Sequence, residues 1–327
     1  MITRYQTKTL CVTKEKVDSP QQGGRYDLRP RRDAANASSN NVRHFSNVAL
    51  GDTSDGVEEN QITDNLTFEA DYANDIHEYL RSRESSTSVS PAYMKNQMHI
   101  NEQMRQILVD FIIEVHCRFG LVPGTLYLAI NILDRYLSSE GDARRVTPTN
   151  LQLVGIVALL ISSKFEEVWA LSSTDCVCIC ENASYDERDV VDMETSILGA
   201  LNYEINVPCA HAFLVRYLRA INARTEVVNL SNYVLDGTLQ SYYLLSFLPS
   251  QLAAASVFIS RKTVGEDAWC TTLLKNSRYR EEEVLSVARA VVAVKTYCSA
   301  GLFAVKRKYG RGEDGGGVSN VELCSDF

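Results

Sequence analysis

Cysteine, histidine and charged side chains in this sequence are the places where chemistry could sit. Cys176, Cys178 and Cys180 form a C-x-C-x-C run, a spacing that invites a metal-site reading. On a helix, however, Cys178 points away from the other two, and no histidine follows at ligand spacing. Reduced thiols used as small core residues fit the three better. His116 and Cys117 set a base beside a nucleophile. Adjacent helical residues diverge by roughly 100°, so these two cannot share a hydrogen bond. The chain has no phosphate-cradling G-x-x-x-x-G-K-[ST], no G-x-G-x-x-G after a strand and no G-x-S-x-G. The expectation is a non-catalytic protein without catalytic residues, metal or cofactor.

Charge inside apolar sequence is the stronger signal. Arg105 opens an amphipathic run, and Asp134 ends the apolar run LYLAINILD. Neither is favourable to bury alone, so if both are inside they should find each other. If not, each lies on a solvated rim. Lys164 follows a long apolar stretch, and Glu194 sits in VVDMETSILGAL. On one surface they would offer paired charges flanked by Phe165 and Leu198, suited to gripping a partner's helix end. The bland reading is two unrelated surface charges.

The elements that must position these residues read as helices. Met104, Ile107, Leu108, Phe111, Ile112 and Val115 recur with a helical period. Leu151 to Ile161 is apolar nearly all round, the mark of a central helix. Tyr72, Ile76, Tyr79 and Leu80 make one stripe on an earlier helix, expected at 69–82. Pro91, Pro123, Pro148, Pro208 and Pro249 all fall between such runs rather than inside them. Two successive five-helix bundles fit, an all-α fold with an extra N-terminal helix. Residues 1–66 lack a sustained period and are rich in polar and small residues, so a disordered tail is expected there. The Gly-rich stretch 310–317 reads as a loose C-terminal tail.

Composition excludes some function classes. Net charge is −8, and residues 1–66 contribute none of it, with nine basic and nine acidic side chains. An acidic body is a poor polyanion binder, so no nucleic-acid partner is expected. The longest apolar run, Leu153–Ile161, falls far short of the ~20 residues of a membrane span. No membrane partner is expected either. The N-terminal residues show no apolar signal core, so the nine Cys read as reduced thiols.

Over residues 104–137, MRQILVDFIIEVHCRFGLVPGTLYLAINILDRYL, and 151–167, LQLVGIVALLISSKFEE, the chain closely resembles the cyclin box. DYANDIHEYLRSRE (71–84) and YMKNQMHINEQMRQILVD (93–110) are similar to A/B-type, mitotic cyclins, B-type most of all. FLVRYL and LPSQLAAAS give the second repeat, so the resemblance runs from about 69 to 298. The domains it implies are a tail 1–66, an N-terminal helix and linker 67–99, an N-terminal box 100–209, a C-terminal cyclin fold 210–300 and a tail 301–327.

The resemblance places the family's characteristic residues on Arg105, Asp134, Leu153, Lys164 and Glu194. It implies an internal ion pair of Arg105 with Asp134. It implies kinase contacts for Lys164 and Glu194, supplemented by Phe165, Glu167 and Leu198. Tyr72, Ile76 and Tyr79 match positions that pack on the kinase, although packing on the chain's own bundle is equally compatible. A substrate-docking patch falls on Met104, Ile107, Leu108, Phe111, Glu114 and Gln152, where Ile107 and Leu108 are also readable as core. Phe111 stands where the family usually has Trp, keeping the apolar face but losing area and the indole donor. Val168-Trp169-Ala170-Leu171 replaces a common Tyr-Pro-Pro turn, and the loop Ser138–Thr149 is longer than usual. Arg25, Leu28 and Asp33 resemble a degenerate destruction box, a degron candidate in the tail.

The function this implies is a regulatory subunit that activates a cyclin-dependent Ser/Thr kinase and docks its substrates or inhibitors, at G2/M. The implied setting is nucleus and cytoplasm, with ubiquitin-ligase machinery engaging the tail. The alternative is a cyclin-fold transcription or scaffold factor that activates no kinase.

Overall fold

Helix boundaries in this protein follow from local chemistry. The structure, a computed structural model, describes residues 59–139, 146–180, 185–297, 302–310 and 317–325. Among them twelve α-helices and no strands are found. The first bundle opens with α2 (Glu102–Phe119), where the Asn101 side chain accepts from the Met104 N–H at 3.0 Å. That helix stops at Gly120, whose φ of 64° is a left-handed conformation open to glycine at little cost. α3 (Pro123–Ser138) starts with proline in its first turn, where no N–H is needed. α4 (Leu151–Glu166), α5 (Ser173–Ile179) and α6 (Glu187–Ala200) complete the bundle. Capping boxes at Ser172 and Asp186 define the starts of α5 and α6.

The apolar-all-round helix α4 is central. Residues 153 to 163 of it are all buried, and it packs on α2, α3, α5 and α6. Its crossing with α2 is close because of Gly155. A Cβ there would meet Leu108 Cδ1 at 2.8 Å, so any larger residue would force the buried Leu108 side chain to shift.

The second bundle repeats the plan with α7 (Ala210–Ala220), α8 (Thr225–Leu239), α9 (Pro249–Val264), α10 (Thr271–Ser277) and α11 (Glu281–Tyr297). Here α9 is central, packing on α7, α8 and α11. Ala253, Ala254 and Ala255 are fully buried in it. Ser256 and Ser260 satisfy their hydroxyls on carbonyls of their own helix, at 2.8 Å each.

Two elements differ from the sequence expectation. The N-terminal helix, α1, spans Glu59–Thr87, starting ten residues ahead of 69 and taking in 59–66, which were assigned to the disordered tail. No proline or glycine interrupts the sequence between Gly56 and Pro91, so nothing stops it propagating. The helix lies against the second bundle. His77 Nε2 is 3.0 Å from the Asn276 carbonyl, and the Glu84 carboxylate accepts from Ser250 Oγ at 2.9 Å and Ser250 N–H at 3.2 Å.

The C-terminal tail is the second correction. Residues flanking the Gly-rich stretch are packed, with α12 (Ala304–Lys308) against α2 and α8, and a short turn at 318–320 against α8. Ala304, Val305, Tyr309 and Val318 are buried. Residues 1–58, with the degron candidate Arg25, Leu28 and Asp33, lie outside the described residues, as do 140–145 of the long loop.

Candidate functional site

Arg105 and Asp134 meet in the interior. Arg105 Nε and Nη2 each donate to a different Asp134 oxygen at 2.6 Å, a bidentate fork. The Tyr93 hydroxyl donates to Asp134 Oδ1 at 2.7 Å, and Arg105 Nη1 donates to the Leu239 carbonyl at 3.2 Å. Burial opposes charge on the guanidinium, but the adjacent carboxylate outweighs it and holds the Arg105 pKa above its ordinary value. The pair therefore ties α2 to α3 and also caps the end of α8 in the second bundle. That last contact was not visible in the sequence.

Lys164 and Glu194 pair at the surface. Lys164 Nζ donates to both Glu194 oxygens, at 2.6 and 2.8 Å, from the last turn of α4 to α6. The Lys164 side chain is 48% exposed and that of Glu194 17%. Phe165 beside it is half exposed, and Leu198 is partly buried against the core. Past the helix end, Val168 and Trp169 are strongly exposed.

Glu167 is placed differently from the kinase-contact expectation. Its Oε1 accepts from the Val122 N–H and the Thr125 hydroxyl, both at 2.7 Å, so it satisfies the first turn of α3. One oxygen of this carboxylate is thus engaged with donors of its own chain.

On α1 three of the four stripe residues face outward. Tyr72, Ile76 and Tyr79 are 57%, 55% and 51% exposed, whereas His77, Leu80 and Glu84 face the second bundle. The buried side of α1 thus combines Leu80 with the hydrogen-bonded His77 and Glu84, so Leu80 parts from the expected stripe and Tyr72, Ile76 and Tyr79 remain at the surface. Burial lowers the His77 pKa to about 4, with Arg216 contributing, so the ring is neutral near pH 7.

The docking set divides. Ile107 is 46% exposed and Leu108 only 6%, so Ile107 belongs to the surface and Leu108 to the core, against Gly155 of α4. The reading of Ile107 as core is corrected by this rotation of the helix. Met104, Phe111 and Gln152 are intermediate. Glu114 is exposed and paired with Arg307 of α12 at 2.8 Å. The surface is an apolar strip ending in a carboxylate.

Asp236 is a site the sequence reading missed. It is buried and accepts from Tyr127 Oη at 2.6 Å, Lys308 Nζ at 2.8 Å and Tyr309 Oη at 2.8 Å. Burial opposes the carboxylate, but the Lys308 charge prevails and holds its pKa below the ordinary value. An acid in the middle of the apolar run NYVLDGTL was the available signal, the same one that marked Asp134.

Cys176 and Cys180 are buried, and burial pushes their pKa values up to about 12 and about 11. Cys178 is exposed. His116 Nε2 lies 3.0 Å from the Val122 carbonyl, not toward Cys117. Among the described residues no group of His, Cys, Asp and Glu is arranged to hold a metal ion, and no helix is long and apolar enough to cross a membrane.

The two tandem helical repeats thus carry a buried Arg–Asp tie, a surface Lys–Glu pair and an outward row of Tyr72, Ile76 and Tyr79. Residues 75–206 match the family described as Cyclin, N-terminal domain, and residues 208–322 match Cyclin, C-terminal domain. The chain belongs to the cyclin family.

Among its relatives, G2/mitotic-specific cyclin-1 of Antirrhinum majus is 39% identical over 75% of this chain and 51% of that protein. Cyclin-B1-2 of Arabidopsis thaliana is 37% identical over 77% of this chain and 56% of that protein. G2/mitotic-specific cyclin-2 of Medicago sativa is 38% identical over 73% of this chain and 72% of that protein. The chain thus spans about half the length of the first two. A viral cyclin from herpesvirus saimiri shares the fold, with a TM-score of 0.59 at 18% identity over 70% of this chain and 99% of that one.

Proposed function

We propose that this chain is a regulatory subunit, without catalysis of its own, that binds and activates a cyclin-dependent Ser/Thr kinase at G2/M. The observation that carries this is the Lys164–Glu194 pair, exposed between Phe165 and the half-buried Leu198 on the rim of the first bundle. The outward stripe of Tyr72, Ile76 and Tyr79 adds apolar area of the kind a partner covers. The mitotic names of the relatives support the phase.

Activation is a shift of the kinase between two arrangements. Moving an equilibrium from ~1:99 to ~99:1 takes about 5.5 kcal/mol of differential binding. A rigid two-bundle surface supplies that by fitting only the active arrangement. The strip of Met104, Ile107 and Phe111 with Glu114 and Gln152 serves substrates or inhibitors that present a basic residue beside apolar ones. The segment around Arg25, Leu28 and Asp33 serves as the handle for ubiquitin-ligase machinery. We place the protein in both nucleus and cytoplasm.

The deciding experiment combines purified chain with candidate kinase subunits and measures histone phosphorylation, for wild type and for Lys164→Ala/Glu194→Ala. Loss of activation in the double variant is expected, and full activity would refute the kinase-grip reading. For the tail, deleting residues 1–58, which spares α1, should lengthen the protein's half-life at mitotic exit, whereas an unchanged half-life would remove the degron.

A further inference from the structure

The carboxylate of the docking strip already holds a cation, and that cation belongs to the chain itself. Arg307 Nη1 of α12 donates to Glu114 Oε1 at 2.8 Å. The helix that presents Arg307 is fixed at both ends. At its start, the Asp110 carboxylate accepts from the Ala304 N–H at 3.0 Å and the Phe303 N–H at 3.4 Å. At its end, Lys308 and Tyr309 are bound to buried Asp236. Gln240 of the second bundle also donates to Asp110, at 2.7 Å.

These contacts differ in strength. The anchor at Lys308 and Asp236 is shielded, with side chains 21% and 3% exposed. The Arg307–Glu114 pair is 52% exposed on both sides. Breaking a solvated pair costs little, whereas removing one partner of a buried pair costs far more. Arg307 can therefore swing away from Glu114 while α12 stays in place. Ile107, on the same helix as Glu114, remains exposed beside the pair.

We propose that Arg307 is a built-in competitor for Glu114, a specificity-determining residue that a docking peptide's cation must displace. This rests on the docking reading given under Proposed function. A peptide with apolar residues alone gains the strip but leaves the internal pair intact. A peptide that also carries a correctly spaced cation exchanges one ion pair for another. Its net gain from the charge is thereby held small, and discrimination falls more heavily on the fit to Ile107 and Phe111.

The test uses the full chain and a fluorescein-labelled Gly-Arg-Gly-Leu-Phe-Gly peptide, followed by fluorescence anisotropy at low salt. Arg307→Ala is expected to tighten binding about two- to fivefold, the range that an exposed ion pair allows. Arg307→Glu should tighten it further. Lys306→Ala removes the same charge one residue away and should change binding less than Arg307→Ala. In a Glu114→Gln background the Arg307→Ala effect should vanish.

If Glu114→Gln weakens the peptide but Arg307→Ala behaves like Lys306→Ala, docking stands and the competitor is refuted. If Glu114→Gln leaves binding unchanged even in an Arg307→Ala background, the docking reading fails and the competitor with it. All these substitutions are at exposed positions, so unchanged melting temperatures are expected to accompany them.

Discussion

Two ion pairs in the first bundle share a contact distance of 2.6 Å and almost nothing else. Arg105 and Asp134 are sealed, with side chains 1% and 2% exposed, and every strong donor and acceptor around them is matched. Lys164 and Glu194 sit at the rim, where water screens the attraction. The sealed pair organises the fold because neither charge tolerates losing the other. The rim pair adds little to the fold and leaves its charges ready for a partner. Burial, not pairing, decides which ion pair is architecture and which is available for recognition.

The largest effect that separates them is on stability. Asp134→Ala leaves Arg105 charged and enclosed, and should cost about 3–5 kcal/mol, read as a lowered urea midpoint. Arg105→Met/Asp134→Leu removes both charges and should recover much of that loss, although the Tyr93 hydroxyl loses its acceptor. A double variant as unstable as Asp134→Ala would show that the pair acts through something other than an isolated charge.

Acid provides the next test, because it acts on groups outside both pairs. Burial lowers His77, His116 and His211 to about 4 each. Unfolded histidine titrates near 6.5, so below that pH the unfolded chain takes up protons that the folded one refuses. Stability from these rings should therefore be full above about pH 6.5 and decline as pH falls from there toward about 4. Burial also raises the pKa values of Glu84 and Asp110, which favours the folded state on protonation and softens the decline at lower pH. His77→Asn should flatten the pH profile of the melting temperature, and an unchanged slope would clear His77 of the effect.

The smallest stability effect belongs to the rim. Lys164→Ala/Glu194→Ala should shift unfolding by no more than about 1 kcal/mol. Its kinase affinity, measured by titration calorimetry, should nevertheless fall by about 2 kcal/mol or more. Equal losses in folding and in binding would erase the contrast drawn above.

Sequence patterns revealed some of this and concealed the rest for physical reasons. Arg105 and Asp134 were legible because a charge amid apolar periodicity demands a partner. The central role of α4 was legible because its apolar residues cover every side. Ile107 and Leu108 were not separable, since both fit a helical stripe and only Gly155 on another helix fixes which one turns inward. Glu167 reads as a surface acid until the chain folds back to bring Val122 and Thr125 to it. Helix α12 is too short to show a period, and its partners Asp110 and Asp236 are distant in sequence.

The Asp236 cluster also carries a consequence for how the protein is made. Synthesis runs from the N-terminus, so Tyr127 and Asp236 exist well before Lys308 and Tyr309 leave the ribosome. Until then the acid at the joint between the two repeats lacks the Lys308 charge that pairs with it. The nascent chain can assemble each repeat in turn, but the joint closes only once Lys308 and Tyr309 are available. A chain ending short of Lys308 would leave the Asp236 carboxylate at that seam without the cation and the Tyr309 hydroxyl that hold it.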